Sequence, residues 1–181
     1  MRVISGSARG TKLLCPEGLS VRPTHDRVKE SLFSMLSVAV SGASVLDLFA
    51  GTGALGIEAL SRGAAGAVFV DVSPRSLKTV EENLQKTHLS SAAQLINRDY
   101  LSFLSSTDTV FDLIFLDPPY REGFLLPALK KIAEKRLLSP EGIIYCETEG
   151  EPPEEISDLF MVYRDKKYGR ARILLLKEMS L

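Results

Sequence analysis

Phe111-Asp112-Leu113-Ile114-Phe115-Leu116-Asp117-Pro118-Pro119-Tyr120 is an apolar run that ends abruptly on an acid, two prolines and an aromatic ring. Such a run reads as a β-strand buried on both faces, and the prolines, which cannot donate to a sheet ladder, forbid it to continue. In an open α/β sheet, ligands bind in the crevice beyond the carboxyl ends of the strands. Asp117, Pro118, Pro119 and Tyr120 are therefore expected where the chemistry occurs. A strand followed by a merely rigid loop would look the same locally, so the decision rests on the rest of the chain.

Around this run the pattern is strand and helix in alternation from Ser44 onward. Strands are predicted at 45–49, 67–71, 93–97 and 142–147, with helices at 55–62, after Asp99, and at 124–136. Another helix is predicted with Ser73 as N-cap, Pro74 at its first position and Leu77, Val80 and Leu84 facing inward. Residues 160–164 and 171–177 read as a closing antiparallel hairpin, and the acidic segment 147–155, with Pro152-Pro153, as a solvated loop. At the amino end, 3–5 and 12–14 read as two short strands around a glycine turn that carries Arg9. A helix capped by Thr24 follows, with Val28, Leu32, Met35, Leu36 and Ala39 inward and Asp26, Arg27 and Glu30 at its exposed start. The expected fold is α/β: a seven-stranded, mostly parallel, doubly wound sheet with a C-terminal antiparallel hairpin. Residues 1–43 would form a small extension on a 44–181 domain.

The chain has 181 residues and a net charge of −1, and no segment is apolar for long enough to span a bilayer, so a soluble cytoplasmic protein is expected. Cys15 and Cys146 have no metal-like spacing, and His25 and His88 have no partner of ligand type, so neither a metal site nor a disulfide is expected. Charge is unevenly spread. Arg2, Arg9, Lys12, Arg22, Arg27 and Lys29 outnumber Glu17, Asp26 and Glu30 in the first 42 residues, which makes the amino-terminal segment the basic end.

Gly51, Gly53 and Gly56 fall in a G-x-G-x-x-G spacing directly after a strand and before a helix, where backbone must approach a ligand closely. The context Asp47-Leu48-Phe49-Ala50-Gly51-Thr52-Gly53 has an acid in the strand and no Walker lysine, which disfavours a nucleoside triphosphate. Asp71 ends the next strand, where a carboxylate can accept both ribose hydroxyls. Asp99, beside Tyr100, can accept from an adenine amino group. Each of these acids could singly be a helix N-cap, but three at successive strand ends are harder to dismiss.

DLFAGTGALGIEALSRGA at 47–64, with FLDPPY at 115–120, resembles the class I S-adenosylmethionine-dependent methyltransferases that act on exocyclic amino groups. RVISGSARGTKLLCPEGLSVRPTHDRVKESLFSML at 2–36 and KYGRARI at 167–173 look like the hallmarks of the RsmD family, the 16S rRNA guanine-N2 methyltransferases. The resemblance implies a Rossmann-like methyltransferase fold, S-adenosylmethionine as cofactor and 16S rRNA or the small ribosomal subunit as partner. It implies Asp117, Pro118, Pro119 and Tyr120 as the catalytic signature, and Asp47, Phe49, Ala50, Gly51, Gly53, Asp71, Asp99 and Tyr100 as the cofactor edge. Arg22, Thr24 and Arg27 match an RPT-x-x-R pattern that frames the methionine end of the cofactor or the RNA backbone; Arg22 and Thr24 are assigned to the cofactor and Arg27 to the substrate. Arg9 and Lys12 on the hairpin are the expected RNA contacts, and a monomer is expected.

Two readings compete. DPPY serves adenine-N6 methylation of DNA equally well, yet no insertion large enough to read base edges in the major groove is visible. A non-catalytic RNA-binding module on the same scaffold is disfavoured by the intact acid at Asp117 and the intact glycine loop. A protein glutamine methyltransferase would more often carry Asn at position 117, and a dehydrogenase would leave the DPPY segment unexplained.

Overall fold

The computed structural model describes residues 1–15, 23–119, 123–169 and 171–179, with backbone alone at 23–25 and 149. Among the described residues seven strands form one sheet: β1 (Ser44–Asp47), β2 (Gly66–Asp71), β3 (Ala93–Asn97), β4 (Phe111–Leu116), β5 (Leu138–Glu149), β6 (Met161–Tyr168) and β7 (Ala171–Lys177). Their order is β3-β2-β1-β4-β5-β7-β6. The first five are mutually parallel, β7 runs antiparallel to β5, and β6 antiparallel to β7. This is the expected doubly wound sheet with an antiparallel edge.

Both faces are covered, which is why the strand sequences are continuously apolar rather than alternating. Val45, Leu113, Phe115, Ile143, Tyr145, Ile173 and Leu175 point to one side. There they meet Leu32 and Phe33 of helix α1 (Pro23–Leu36), Ile57 and Leu60 of α2 (Ala54–Ser61), and Leu77, Val80 and Leu84 of α3 (Pro74–Thr87). Leu46, Ile114, Leu116, Ile144, Cys146, Leu174 and Leu176 point to the other side. They meet Leu104 of α4 (Tyr100–Ser106), Leu129 and Ile132 of α5 (Leu125–Lys135) and Ile156 of α6 (Ile156–Leu159). Each fully buried side chain of this kind stabilises the fold by roughly 1.5–3 kcal/mol relative to exposure.

Local signals set the helix ends as read. Ser73 caps α3, its hydroxyl accepting the Ser76 amide at 3.3 Å, and Pro74 is the first helical residue. At α1 the outcome differs: the helix already includes Pro23, so Thr24 lies inside its first turn instead of capping it. Proline at a helix's first position sacrifices an amide that has no intrahelical partner anyway. Asp26 in this turn is half-buried rather than exposed.

The amino-terminal hairpin is reduced to a single antiparallel bridge between Arg2 and Lys12. The amides that a longer ladder would use are taken by α2 and α3. Ile4 and Ser5 donate to the Glu58 carboxylate at 2.8 and 3.0 Å, Ala8 to the Ser61 hydroxyl at 3.0 Å, and Leu14 to the Asn83 side chain at 2.7 Å. Glu58 is fully buried and also receives Lys29 at 3.1 Å and Arg62 at 2.8 Å. Burial pulls the Lys29 ammonium below its ordinary value, against the opposing attraction of Glu58. The basic amino end is thus held on the sheet domain by one buried acid, a serine and an amide.

The segment read as a solvated acidic loop begins as strand. β5 continues through Glu149, paired with β7 from Glu149↔Ala171 to Ile144↔Leu176, and Glu147 is buried. Ladder partners in β7, far away in sequence, override the local acidity here. The closing hairpin likewise has a longer first strand than read, with β6 running to Tyr168.

Candidate active site

Beyond the carboxyl ends of β1 and β4 the sheet order reverses, because the chain leaves β1 toward β2 while β4 lies on the other side. The reversal opens a crevice, the usual ligand position in such sheets. The glycine loop crosses this point. Gly51 and Gly53 adopt φ of +54° and +75°, conformations that a side chain would strain, and no side chain caps the start of α2. In the first turn of that helix the Gly56 amide is taken by the Asp47 carboxylate.

Two acids hold the loop. Asp71 accepts the Gly51 amide at 2.9 Å through one oxygen and the Ser73 amide at 2.8 Å through the other. Asp47 is buried and accepts the Gly56 amide at 3.0 Å. Its carboxyl is pushed up from 3.8 to about 7 by burial, a rise offset in part by the Gly56 hydrogen bond and reinforced by Asp71. Ala50 is anchored by its own amide, which donates to Val70 at 3.0 Å.

Asp99 is exposed and takes the N-cap position of α4, accepting the Ser102 amide at 3.0 Å. Tyr100 beside it packs against Phe49 with ring centroids 5.1 Å apart, and Phe124 completes the group at 5.3 Å from Tyr100 and 6.1 Å from Phe49. The three half-buried rings make an apolar wall next to Asp99. In the sequence Phe124 reads as the first residue of a helix and as ordinary packing; in the structure it stands just before α5.

Asp117 follows directly on β4, and Pro118 is buried while Pro119 is exposed. Asp117 has solvent access yet stands in a protein-crowded cleft. Loss of surrounding water, then the charges of Glu147 and Asp47, push its carboxyl above the ordinary carboxylate range. Because its own surface meets solvent, screening trims the first effect, and the neighbouring charges secure the direction. Glu147, read as the last residue of its strand, lies inside β5, and its carboxylate accepts the Tyr145 hydroxyl at 2.8 Å. Asp47, Asp117 and Glu147 follow Val45, Phe115 and Tyr145 at a spacing of two, so all three acids lie on the α1 side of the sheet. A row of acids suits a cationic ligand and repels phosphates.

The fold therefore brings together Asp47, Gly51, Gly53 and Asp71 through hydrogen bonds, Phe49 and Tyr100 through ring contact, and Asp47 with Asp117 through their charges. Arg9 and Lys12 are exposed on the amino-terminal segment and Arg27 on α1. Among the described residues they make no ion pair with the acids of the crevice. Arg22 and Tyr120 lie outside the described residues, as does the side chain of Thr24. Also among the described residues, no three His, Cys, Asp or Glu side chains cluster as a metal site, and no helix is long and apolar enough to cross a membrane.

Residues 1–177 match the family described as "Conserved hypothetical protein 95". The Escherichia coli (strain K12) protein named ribosomal RNA small subunit methyltransferase D is 40% identical over 151 residues, which cover 83% of this chain and 76% of the relative. The Haemophilus influenzae protein of the same name is 37% identical over 172 residues, covering 93% and 89%. Among solved structures, "Putative methyltransferase yhhF from Escherichia coli" superimposes with a TM-score of 0.86 at 37% identity, covering 99% of each chain.

Proposed function

Because this chain belongs to the conserved hypothetical protein 95 family, which is the RsmD family, we propose that it transfers a methyl group from S-adenosylmethionine to the N2 amino group of a guanine in 16S rRNA. The observation that carries this reading is the row of acids ending in Asp117-Pro118, set beside a glycine loop that lacks a phosphate-binding lysine. The same row is the test of fit for the cofactor: its acids suit a sulfonium, and the ring wall of Phe49, Tyr100 and Phe124 beside Asp99 suits an adenine.

When bound, S-adenosylmethionine supplies an electrophilic methyl carbon. The residues do the rest. A guanine amino nitrogen is a poor nucleophile because its lone pair is delocalised into the ring. Hydrogen bonds from that amino group to the Asp117 carboxylate and the Pro118 carbonyl orient the lone pair and stabilise the positive charge that develops on nitrogen. The prolines stiffen the backbone and present no amide donor to compete for the base. Asp71 is the residue for the ribose hydroxyls, Asp99 for the adenine amino group, and Gly51, Gly53 and Ala50 for the close approach of backbone. Asp47 acts from beneath, through Gly56. Tyr120 supplies a ring on which an extruded base can stack, and Arg22 and Thr24 frame the methionine end.

Residues 1–43 act as the RNA-binding extension, with Arg9, Lys12 and Arg27 on phosphates. The protein works as a cytoplasmic monomer without a metal. The test is transfer of labelled methyl from S-adenosylmethionine to 30S particles, naked 16S rRNA and duplex DNA taken from cells lacking the enzyme. N2-methylguanine in the rRNA is expected, and label in DNA alone would overturn the reading.

A further inference from the structure

The amino-terminal segment is held on α2 and α3, over the β1–β3 half of the sheet, and the other end of the sheet carries a second basic surface. We infer that β6, the open edge of the sheet, holds the backbone of the substrate RNA beside the target base through Arg164 and Lys166. This deepens the rRNA reading above and rests on it.

Strand register fixes where these side chains stand. β7 is antiparallel to β5 and β6 to β7, so β6 runs in the same direction as β4 and β5 and ends on the crevice side. Leu116 pairs with Cys146, Glu147 with Ile173, and Ile173 with Lys166. Asp117, Glu147, Ile173 and Lys166 therefore form one row across four strands, on the α1 side of the sheet. With strands about 4.8 Å apart, the Lys166 backbone stands roughly 14 Å along this row from that of Asp117. Acid gives way to base along the row, so a guanine seated at Asp117 can leave its neighbouring phosphates on Lys166 without bringing them over the acids.

Aromatic rings hold the cations in place. The Arg164 guanidinium carbon lies 5.2 Å and Lys177 Nζ 5.0 Å from the Tyr163 ring centre, and Lys166 Nζ lies 5.2 Å from that of Tyr168. Tyr168 shares a hydrogen bond with Ser31, which pins this end of the edge to α1. Arg27 stands one turn before Ser31 on the same helix face and is exposed, as are Tyr163, Arg164 and Lys166. Among the described residues Arg27, Arg164, Lys166 and Lys177 make no ion pair, whereas Arg172 of β7 is engaged by Asp165 and Glu151. An exposed edge that alternates cations with rings suits a nucleic-acid strand, whose phosphates take the cations and whose bases stack on the rings. A protein strand fits this edge less well, because β6 bulges between Val162 and Arg164 and charged side chains line it.

The test compares wild type, the double variant Arg164→Glu/Lys166→Glu, and Lys130→Glu, which reverses one exposed charge on α5 across the sheet. Binding of 16S rRNA, naked and as 30S particles from cells lacking the enzyme, is measured over a salt series. The double variant should bind naked 16S rRNA roughly 10-fold more weakly and reduce the slope of log affinity against log salt by about two, while holding S-adenosylmethionine within about twofold of wild type. Lys130→Glu should change none of these. Unchanged affinity and slope in the double variant, or an equal loss in Lys130→Glu, overturns the role of β6. A loss confined to 30S particles overturns it too, since it would place a protein of the particle on this edge. If charge reversal prevents folding, Arg164→Gln/Lys166→Gln takes its place, and an unchanged salt slope there counts the same way. A wild-type enzyme that methylates no RNA sinks the rRNA reading and this surface with it; wild-type methylation of RNA with an unaltered double variant sinks the surface alone.

Discussion

The Asp47 carboxylate accepts the Gly56 amide at 3.0 Å, tying the end of β1 to the first turn of α2 beneath the glycine loop. Asp47 is almost fully buried, and its carboxyl is raised from 3.8 to about 7. The unfolded chain ionises this acid near 4, whereas the folded protein resists ionising it until about 7. Stability therefore falls as pH rises through that window and stays reduced above it. At about 1.4 kcal/mol for each tenfold in proton affinity, the cost is bounded at roughly 4 kcal/mol. Asp47→Asn keeps an acceptor for Gly56, so it should raise the melting temperature by several degrees at pH 8 and by almost nothing at pH 4. Melting curves at the two pH values check this, and a gain independent of pH would contradict it.

Gly56 is where α2 comes closest to the sheet. A Cβ there would lie 2.3 Å from a ring carbon of the fully buried Phe69 and 3.2 Å from an Asp47 oxygen. Gly56→Ala should cost about 1–3 kcal/mol through overpacking and weaken S-adenosylmethionine binding by shifting the loop. Gly66→Ala is the control, since its Cβ would meet nothing nearer than the Ala92 carbonyl at 3.6 Å. Chemical denaturation and calorimetric titration of both variants separate the effects; equal behaviour of the two would refute the packing explanation.

Glu58 is the clasp of the amino-terminal segment. Removing it by Glu58→Ala leaves the buried Lys29 without its acid and the Ile4 and Ser5 amides without an acceptor. The expected loss is about 3–5 kcal/mol, as for breaking a buried ion pair from one side. Hydrogen exchange should accelerate in residues 1–15 well before the sheet amides respond. Unchanged protection in that segment would show that Glu58 does not hold it.

The raised carboxyl of Asp117 predicts a pH dependence of cofactor binding. A sulfonium favours the ionised acids, so binding below the raised range must expel a proton, and affinity for S-adenosylmethionine should climb as pH rises through that range and then level off. S-adenosylhomocysteine, which lacks the positive charge, should show a flatter profile. Asp117→Asn should flatten the S-adenosylmethionine profile while preserving binding and abolishing most turnover. Calorimetry in buffers of different ionisation enthalpy counts the proton directly; no release in the wild type would count against the raised carboxyl.

Where local chemistry decides, sequence and structure agree closely. Ser73-Pro74 announces α3, and the continuous apolar runs of the strands announce a sheet covered on both faces. Where a distant segment decides, they part. The amides at 3–8 look free to pair across a hairpin, but Glu58 and Ser61, more than fifty residues on, take several of them. Glu58 carried a legible signal, a lone acid in the apolar Gly56-Ile57-Glu58-Ala59-Leu60 stretch; its partners carried none.

The sequence by itself determined the order of strands and helices, the glycine loop after β1 and the acid-proline-proline stop after β4. Each of these follows from side-chain periodicity, turn chemistry or proline geometry within a few residues. Only the tertiary structure decided that the strand runs on past Glu147 to Glu149 and that Glu147 is buried, with its charge acting on Asp117. That outcome depends on β5 pairing with β4 on one side and β7 on the other, and register between strands is set by long-range packing that no local window contains.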